Sequence, residues 1–187
     1  MTQTPSQTVG PYFAYGLSPQ QYLYNHTSIA SGNLRTPNTQ GEPITLQGRV
    51  LDGEGQAIPD AMIEIWQADA NGQYNPTDSD FKGFGRFGTG TDPEAKFIFQ
   101  TIKPASVEGQ APHITVVVFM RGLLTHAYTR LYFSDEITEN QKDSILNTVP
   151  EERRNTLIAQ RHETPEGIVY QWDIVMQGEQ ETVFFDV

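Results

Sequence analysis

The sequence predicts an all-β protein. Two observations carry that prediction. Several short segments alternate apolar and polar residues with a period of two, and Gly, Pro, Asp and Asn punctuate the chain between them. Seven or so such strands in 187 residues argue for a β-sandwich or a barrel, with long loops and one or two short helices.

Residues 1–43 are rich in Thr, Gln, Asn, Pro and Gly and read as an arm and a long loop. No helix crosses Gly10-Pro11, while residues 18–25 have the length for one or two helical turns. Strands begin at Ile44, where Ile44, Leu46 and Val50 alternate with Thr45, Gln47 and Arg49. Asp52-Gly53-Glu54-Gly55 is a turn, and residues 61–68 form a second strand. Residues 69–95, crowded with Gly, Asp and Pro, read as one long excursion of the kind that is often functional. Residues 96–102 are a short strand, and residues 113–120 are apolar and β-branched, as in a strand buried on both faces. Residues 127–133 are another strand. Pro150 opens a short helix, with Glu151 and Glu152 suited to its first turn. Residues 169–176 alternate again, with Tyr170, Trp172, Ile174 and Met176 on one face, and residues 183–187 are a last edge strand. No internal repeat or second domain is visible, so residues 1–187 are expected to form one domain.

Composition excludes several classes. The net charge of −11 lacks the basic face of a nucleic-acid binder and opposes attachment to an acidic membrane. It also works against long-range capture of an anion, so an anionic ligand needs a local arginine. There is no cysteine, hence no disulfide framework and no thiolate metal site, which suits a reducing, cytoplasmic location. The first residues lack the basic and apolar regions of a signal peptide, and no run approaches the ~20 apolar residues that span a bilayer.

Gly83-Phe84-Gly85-Arg86-Phe87-Gly88 matches G-x-G-x-x-G, but a polar run precedes it and Pro93 follows, so it reads as a connection and not as a nucleotide loop. His26, His113, His126 and His162 show no metal-ligand spacing. Glu64, inside Met62-Ile63-Glu64-Ile65-Trp66, needs a partner, for which Arg49 and Arg86 are the candidates. Alternation puts Tyr128, Arg130 and Tyr132 on one face, and a guanidinium between rings is suited to a planar carboxylate or an aromatic ring.

Residues 46–74, LQGRVLDGEGQAIPDAMIEIWQADANGQY, resemble the signature segment of the intradiol ring-cleaving dioxygenases. The resemblance continues through TPSQTVGPY at 4–12, TIKP at 101–104, APHI at 111–114, THAYTRLYF at 125–133 and GEQETVFFDV at 178–187. It implies an antiparallel β-sandwich. It also implies a ferric ion held by two tyrosines and two histidines, the histidines one residue apart. Tyr74 and His113 match the first of each kind. No tyrosine follows Pro104, and Thr115 stands in place of the second histidine. The chain is therefore expected to hold no metal and to carry vestigial ligand positions at Tyr74 and His113. Such half-sites belong to the α-type chains of the family, whose Fe(III) is held by a homologous β subunit in a higher-order αβ oligomer. The implied reaction is O2-dependent cleavage of 3,4-dihydroxybenzoate (protocatechuate) to 3-carboxy-cis,cis-muconate. The implied contribution of this chain is to the substrate pocket, through Thr8, Gly10, Pro11, Tyr12 and Arg130, with no catalytic residue of its own. A non-catalytic, transthyretin-like binding or structural module is the competing reading, because fold alone does not fix function.

Overall fold

The computed structural model describes residues 8–10, 12–74 and 80–186. The Pro11 position and the Tyr12 side chain lie outside the described residues. Nine strands are present among them: β1 (Pro43–Leu51), β2 (Met62–Gln67), β3 (Phe84–Gly88), β4 (Lys96–Ile102), β5 (His113–Phe119), β6 (Ala127–Phe133), β7 (Ile158–Thr164), β8 (Gly167–Gln171) and β9 (Ile174–Val175). Two short helices, α1 (Tyr12–Leu17) and α2 (Ile137–Lys142), accompany them. The strands form one sheet in the order β3-β2-β5-β6-β7-β8-β1-β4, with β9 alongside β1.

The sheet is mixed, which corrects the expectation of a wholly antiparallel one. β6 runs parallel to β7, and β1 runs parallel to β8 and β9. A parallel step needs a crossover instead of a hairpin. Between β6 and β7 the chain supplies one, through α2 and the 3-10 turns at Leu146–Thr148 and Glu151–Leu157. The buried Asp143 fixes this crossover. It accepts the N–H groups of Ala111 (2.8 Å) and Leu146 (2.7 Å) and the Tyr132 hydroxyl (3.1 Å).

The alternation of β1 matches expectation, with Ile44, Leu46, Gly48 and Val50 all inward. Gly48 is required by close approach: a Cβ there would lie 1.7 Å from the Trp172 carbonyl oxygen. β5 is buried fully on one face only, and Thr115, Val117 and Phe119 on the other face are half-buried. Strand β3 lies inside the stretch expected to be one long excursion, and α1 lies upstream of the residues expected to be helical. The run 169–176 is divided between β8 and β9, and the tail over 181–186 forms no strand.

The core draws on both ends of the sheet. Leu46, Phe97, Phe99 and Tyr170 share one cluster with Ile63, Ile65, Val116 and Leu131. Residues on the opposite side of β2, β5 and β6 are left to form a second, polar face.

Candidate functional site

That second face is built by strand alternation. Antiparallel register sets Trp66 opposite Thr115 and Thr115 opposite Arg130, and pairs His113 with Tyr132 and Val117 with Tyr128. Glu64 lies opposite Arg86. Of its two candidate partners, Glu64 takes Arg86, whose Nε donates to it at 2.7 Å, while Arg49 pairs with Asp173 at 2.9 Å. The glycine-rich run 83–88 is therefore largely an edge strand carrying a structural ion pair, followed by a single 3-10 turn at Thr89–Thr91.

Tyr74 reaches this face through a tight turn after β2. Asp69 Oδ1 accepts the N–H groups of Asn71 (2.8 Å) and Gln73 (2.9 Å), and Gly72 takes a φ of +75° against the Ser106 carbonyl. The Tyr74 ring lies parallel to Trp66, with centroids 6.4 Å apart and a 4° interplanar angle. Its hydroxyl is 3.2 Å from His113 Nε2. His113 Nδ1 is 2.8 Å from the Ala111 carbonyl, which only accepts, so Nδ1 carries the proton and Nε2 accepts from Tyr74. The two residues expected as vestigial ligand positions are thus neighbours, and they are bonded to each other.

Electrostatics keep this pair neutral. Burial pushes the His113 imidazole below its ordinary value, the Ala111 carbonyl opposes that shift, and the Arg130 charge adds to it. Burial pushes the Tyr74 phenol up, and Arg130 pulls it only part of the way back. The Arg130 charge itself is held by Gln110, whose Oε1 accepts from Nη1 at 2.6 Å, and by the Tyr132 and Tyr128 hydroxyls. No acidic side chain is among these contacts. Gln110 has no signal in the sequence, because it sits in the irregular stretch before β5. Trp66 does have one, since it shares the outward side of β2 with Glu64.

The arm lies elsewhere. Thr8 Oγ1 accepts the Gly122 N–H at 3.0 Å, and Thr8 and Gly10 are exposed. Phe13 packs on Phe119 with centroids 5.6 Å apart, beside a cleft of about 210 Å³ that Val9, Leu124 and His126 also line. Phe119 is at the far end of β5 from His113. It is four residues from Thr115, or roughly 13 Å along the strand. One chain therefore does not gather Thr8 and Gly10 beside Arg130.

The fold and this site define an intradiol dioxygenase scaffold, and the chain belongs to that family: a family model described as Dioxygenase matches residues 10–178. The family comprises non-haem iron enzymes. Within it, the chain is 50% identical over 194 residues to the protocatechuate 3,4-dioxygenase alpha chain of Burkholderia cepacia, covering 100% of this chain and 98% of that one. It is 31% identical to the beta chain from the same organism, over 91% of this chain and 77% of that one. Among solved structures it is similar to the dioxygenase domain of a carbohydrate-binding fusion protein from Streptomyces sp. SirexAA-E, with a TM-score of 0.63 and 25% identity over 97% of this chain and 100% of that one. It shares its fold with an intradiol ring-cleavage dioxygenase from Tetranychus urticae at a TM-score of 0.65, with 16% identity over 94% of each chain.

The residues of this face do not fit an iron ion. Among the described residues, no three His, Cys, Asp or Glu side chains converge as metal ligands. Tyr74 and His113 offer only two donors. Thr115 points its hydroxyl toward Tyr128 at 3.5 Å and carries no imidazole. In the stretch where a second tyrosine is missing, Lys103 binds Asp135 (2.7 Å) and Glu136 (2.6 Å). A guanidinium stands where a cation would need compensating negative charge.

Proposed function

We propose that this chain is the α-type subunit of a protocatechuate 3,4-dioxygenase. Together with a homologous β subunit that holds Fe(III), it takes part in O2-dependent cleavage of 3,4-dihydroxybenzoate to 3-carboxy-cis,cis-muconate. The observation that carries the proposal is the closed Tyr74–His113 pair. An intradiol scaffold has kept two donors and bonded them to each other, and among the described residues no cluster of three His, Cys, Asp or Glu side chains surrounds them. Its full-length likeness to a protein named as an alpha chain points the same way.

In this proposal the chain binds and positions substrate. Arg130 holds the substrate carboxylate, a role supported by its half-buried guanidinium and the lack of an acidic side chain among its contacts. A charge-assisted contact of this kind contributes ~1.5–3 kcal/mol. Thr8, Gly10, Pro11 and Tyr12 line the pocket of a neighbouring subunit, a role that the exposure of Thr8 and Gly10 supports. We further propose that residues 1–187 form one domain, a two-layered β-sandwich, because one sheet carries both halves of one core. The assembly works in the cytoplasm, and the cysteine-free composition requires no oxidising compartment.

The test is the visible spectrum of the full chain mixed with Fe(III), with and without the β subunit. The chain alone is expected to stay colourless and inactive, and the mixture with β to be coloured and active. A tyrosinate-to-iron band from the chain alone would overturn the proposal.

A further inference from the structure

We infer that Arg130, as much as the missing ligands, keeps the Tyr74–His113 pair free of metal. The inference stands on this chain alone and does not depend on the identity of its partner subunit.

Spacing alone does not exclude a cation. Tyr74 Oη and His113 Nε2 are 3.2 Å apart. Two ligands about 2.0–2.2 Å from one ion and at right angles to each other lie roughly 3 Å apart. The pair is therefore spaced for a shared ion as well as for its hydrogen bond. His113 is also oriented for either, because the Ala111 carbonyl fixes its Nδ1 proton and leaves the Nε2 lone pair directed at Tyr74.

The obstacle is charge. Arg130 lies opposite Thr115, which is the next residue after His113 on the same side of β5. Its guanidinium is held by Gln110 and by the Tyr128 and Tyr132 hydroxyls, so it is anchored beside the pair. Two acids act on this pair, and neither is bonded to Arg130: Asp143 accepts from Ala111, Leu146 and Tyr132, and Glu108 is exposed. An incoming metal ion would add at least two positive charges beside a fixed one, and loss of the tyrosine proton, which Arg130 favours, would remove only one of them, in a half-buried site where screening is weak. Because a guanidinium keeps its proton throughout the working pH range, the repulsion has no pH escape.

The test uses the full-length chain and two probes. Copper(II), a strong binder of imidazole and phenolate, is titrated into wild type and Arg130→Gln. The variant is expected to bind roughly tenfold or more tightly than wild type, with a tyrosinate charge-transfer band that Tyr74→Phe removes. Equal affinities would overturn the inference. The second probe is ferric citrate, with a third donor supplied at the adjacent position. Thr115→His alone is expected to retain little iron after gel filtration, Thr115→His with Arg130→Gln to retain it and turn coloured, and Thr115→His with Arg130→Lys to behave like the single variant. Iron retained equally by the single variant and the Gln double variant would show that ligand count alone decides. Equal retention by the Lys and Gln forms would show that space, not charge, decides. Far-UV circular dichroism confirms that each compared form is folded.

Discussion

At the scale of single residues, charge on the outer face is arranged by specific partners. Arg86 binds Glu64 and also donates to the Leu17 carbonyl at 3.2 Å, so one guanidinium joins β2, β3 and the end of α1. The two side chains are only 13% and 17% exposed. Glu64→Gln would strand a mostly buried cation, and we expect a loss of about 2–4 kcal/mol in urea unfolding. Arg130 differs in having no such acid. On the proposed function, Arg130→Ala should weaken binding of protocatechuate by tens- to hundreds-fold and leave catechol, which has no carboxylate, nearly unaffected. Equal losses for the two would sink the carboxylate role. Much of this face was legible in the sequence. Period-two alternation placed Tyr128, Arg130 and Tyr132 together, and the need of Glu64 for a partner was visible from its apolar setting, though the choice of Arg86 over Arg49 was not. The Tyr74–His113 bond was not legible from spacing, because it depends on how the turn at 69–73 returns the chain over Trp66. Gln110 was invisible for a similar reason: its role comes from the loop path and not from any periodic pattern.

At the scale of elements, strands with regular alternation declared themselves and strands made by context did not. β4 and β6 run over the same residues that the apolar pattern marks. β7, with the sequence IAQRHET, has a single buried residue and no alternation, so only its neighbours make it a strand. β3 reads as a loop because of its glycines, yet Gly85 is small so that Leu34 and Phe99 can close on it, with a Cβ there only 2.5 Å from Leu34. Gly48 is the most demanding case. Its virtual Cβ meets a backbone oxygen, and Trp172 N–H is meanwhile bonded to the Gln47 carbonyl at 3.0 Å. The methyl of Gly48→Ala therefore has no flexible side chain to displace and must push β1 off the segment that joins β8 to β9. We expect a loss of about 3 kcal/mol or more, read as a lower midpoint in urea. Gly55→Ala, at a φ of +77° in an open turn, should cost only about 1 kcal/mol.

At the scale of the whole molecule, the sheet path alone does not say how its β4 end folds back over the middle, but one polar cluster does. Lys103 follows β4, the last strand in the sheet order, while Asp135 and Glu136 follow β6 near its middle. Lys103 nevertheless bonds to both acids, and Asp135 also accepts the Tyr170 hydroxyl of β8 at 2.8 Å. The cluster therefore ties strands that are distant in the sheet and fixes how the sheet curls around its core. Burial would raise the Asp135 carboxyl, but hydrogen bonds from Lys103 and Tyr170 and the Lys103 charge outweigh it and hold the group below its ordinary 3.8. Burial would lower Lys103, but its bonds to Asp135 and Glu136 win and hold it above 10.5. The signs then follow by linkage. The depressed Asp135 contributes fully above about 3.8, and its contribution is lost as pH falls through the lower folded value. The raised Lys103 contributes fully below 10.5, and its contribution is lost as pH rises through the higher folded value. Lys103→Met should therefore be less stable than wild type by about 1–2 kcal/mol at neutral pH, a modest figure because Asp135 is a third exposed. That deficit should shrink as the pH drops below the carboxylate range, where wild type has lost the same interaction. Urea unfolding of both proteins from pH 3 to pH 8 checks this. A deficit that stays constant across the range would mean that Lys103 acts through other contacts, such as that of its ammonium 5.6 Å over the Phe133 ring, and not through the two carboxylates.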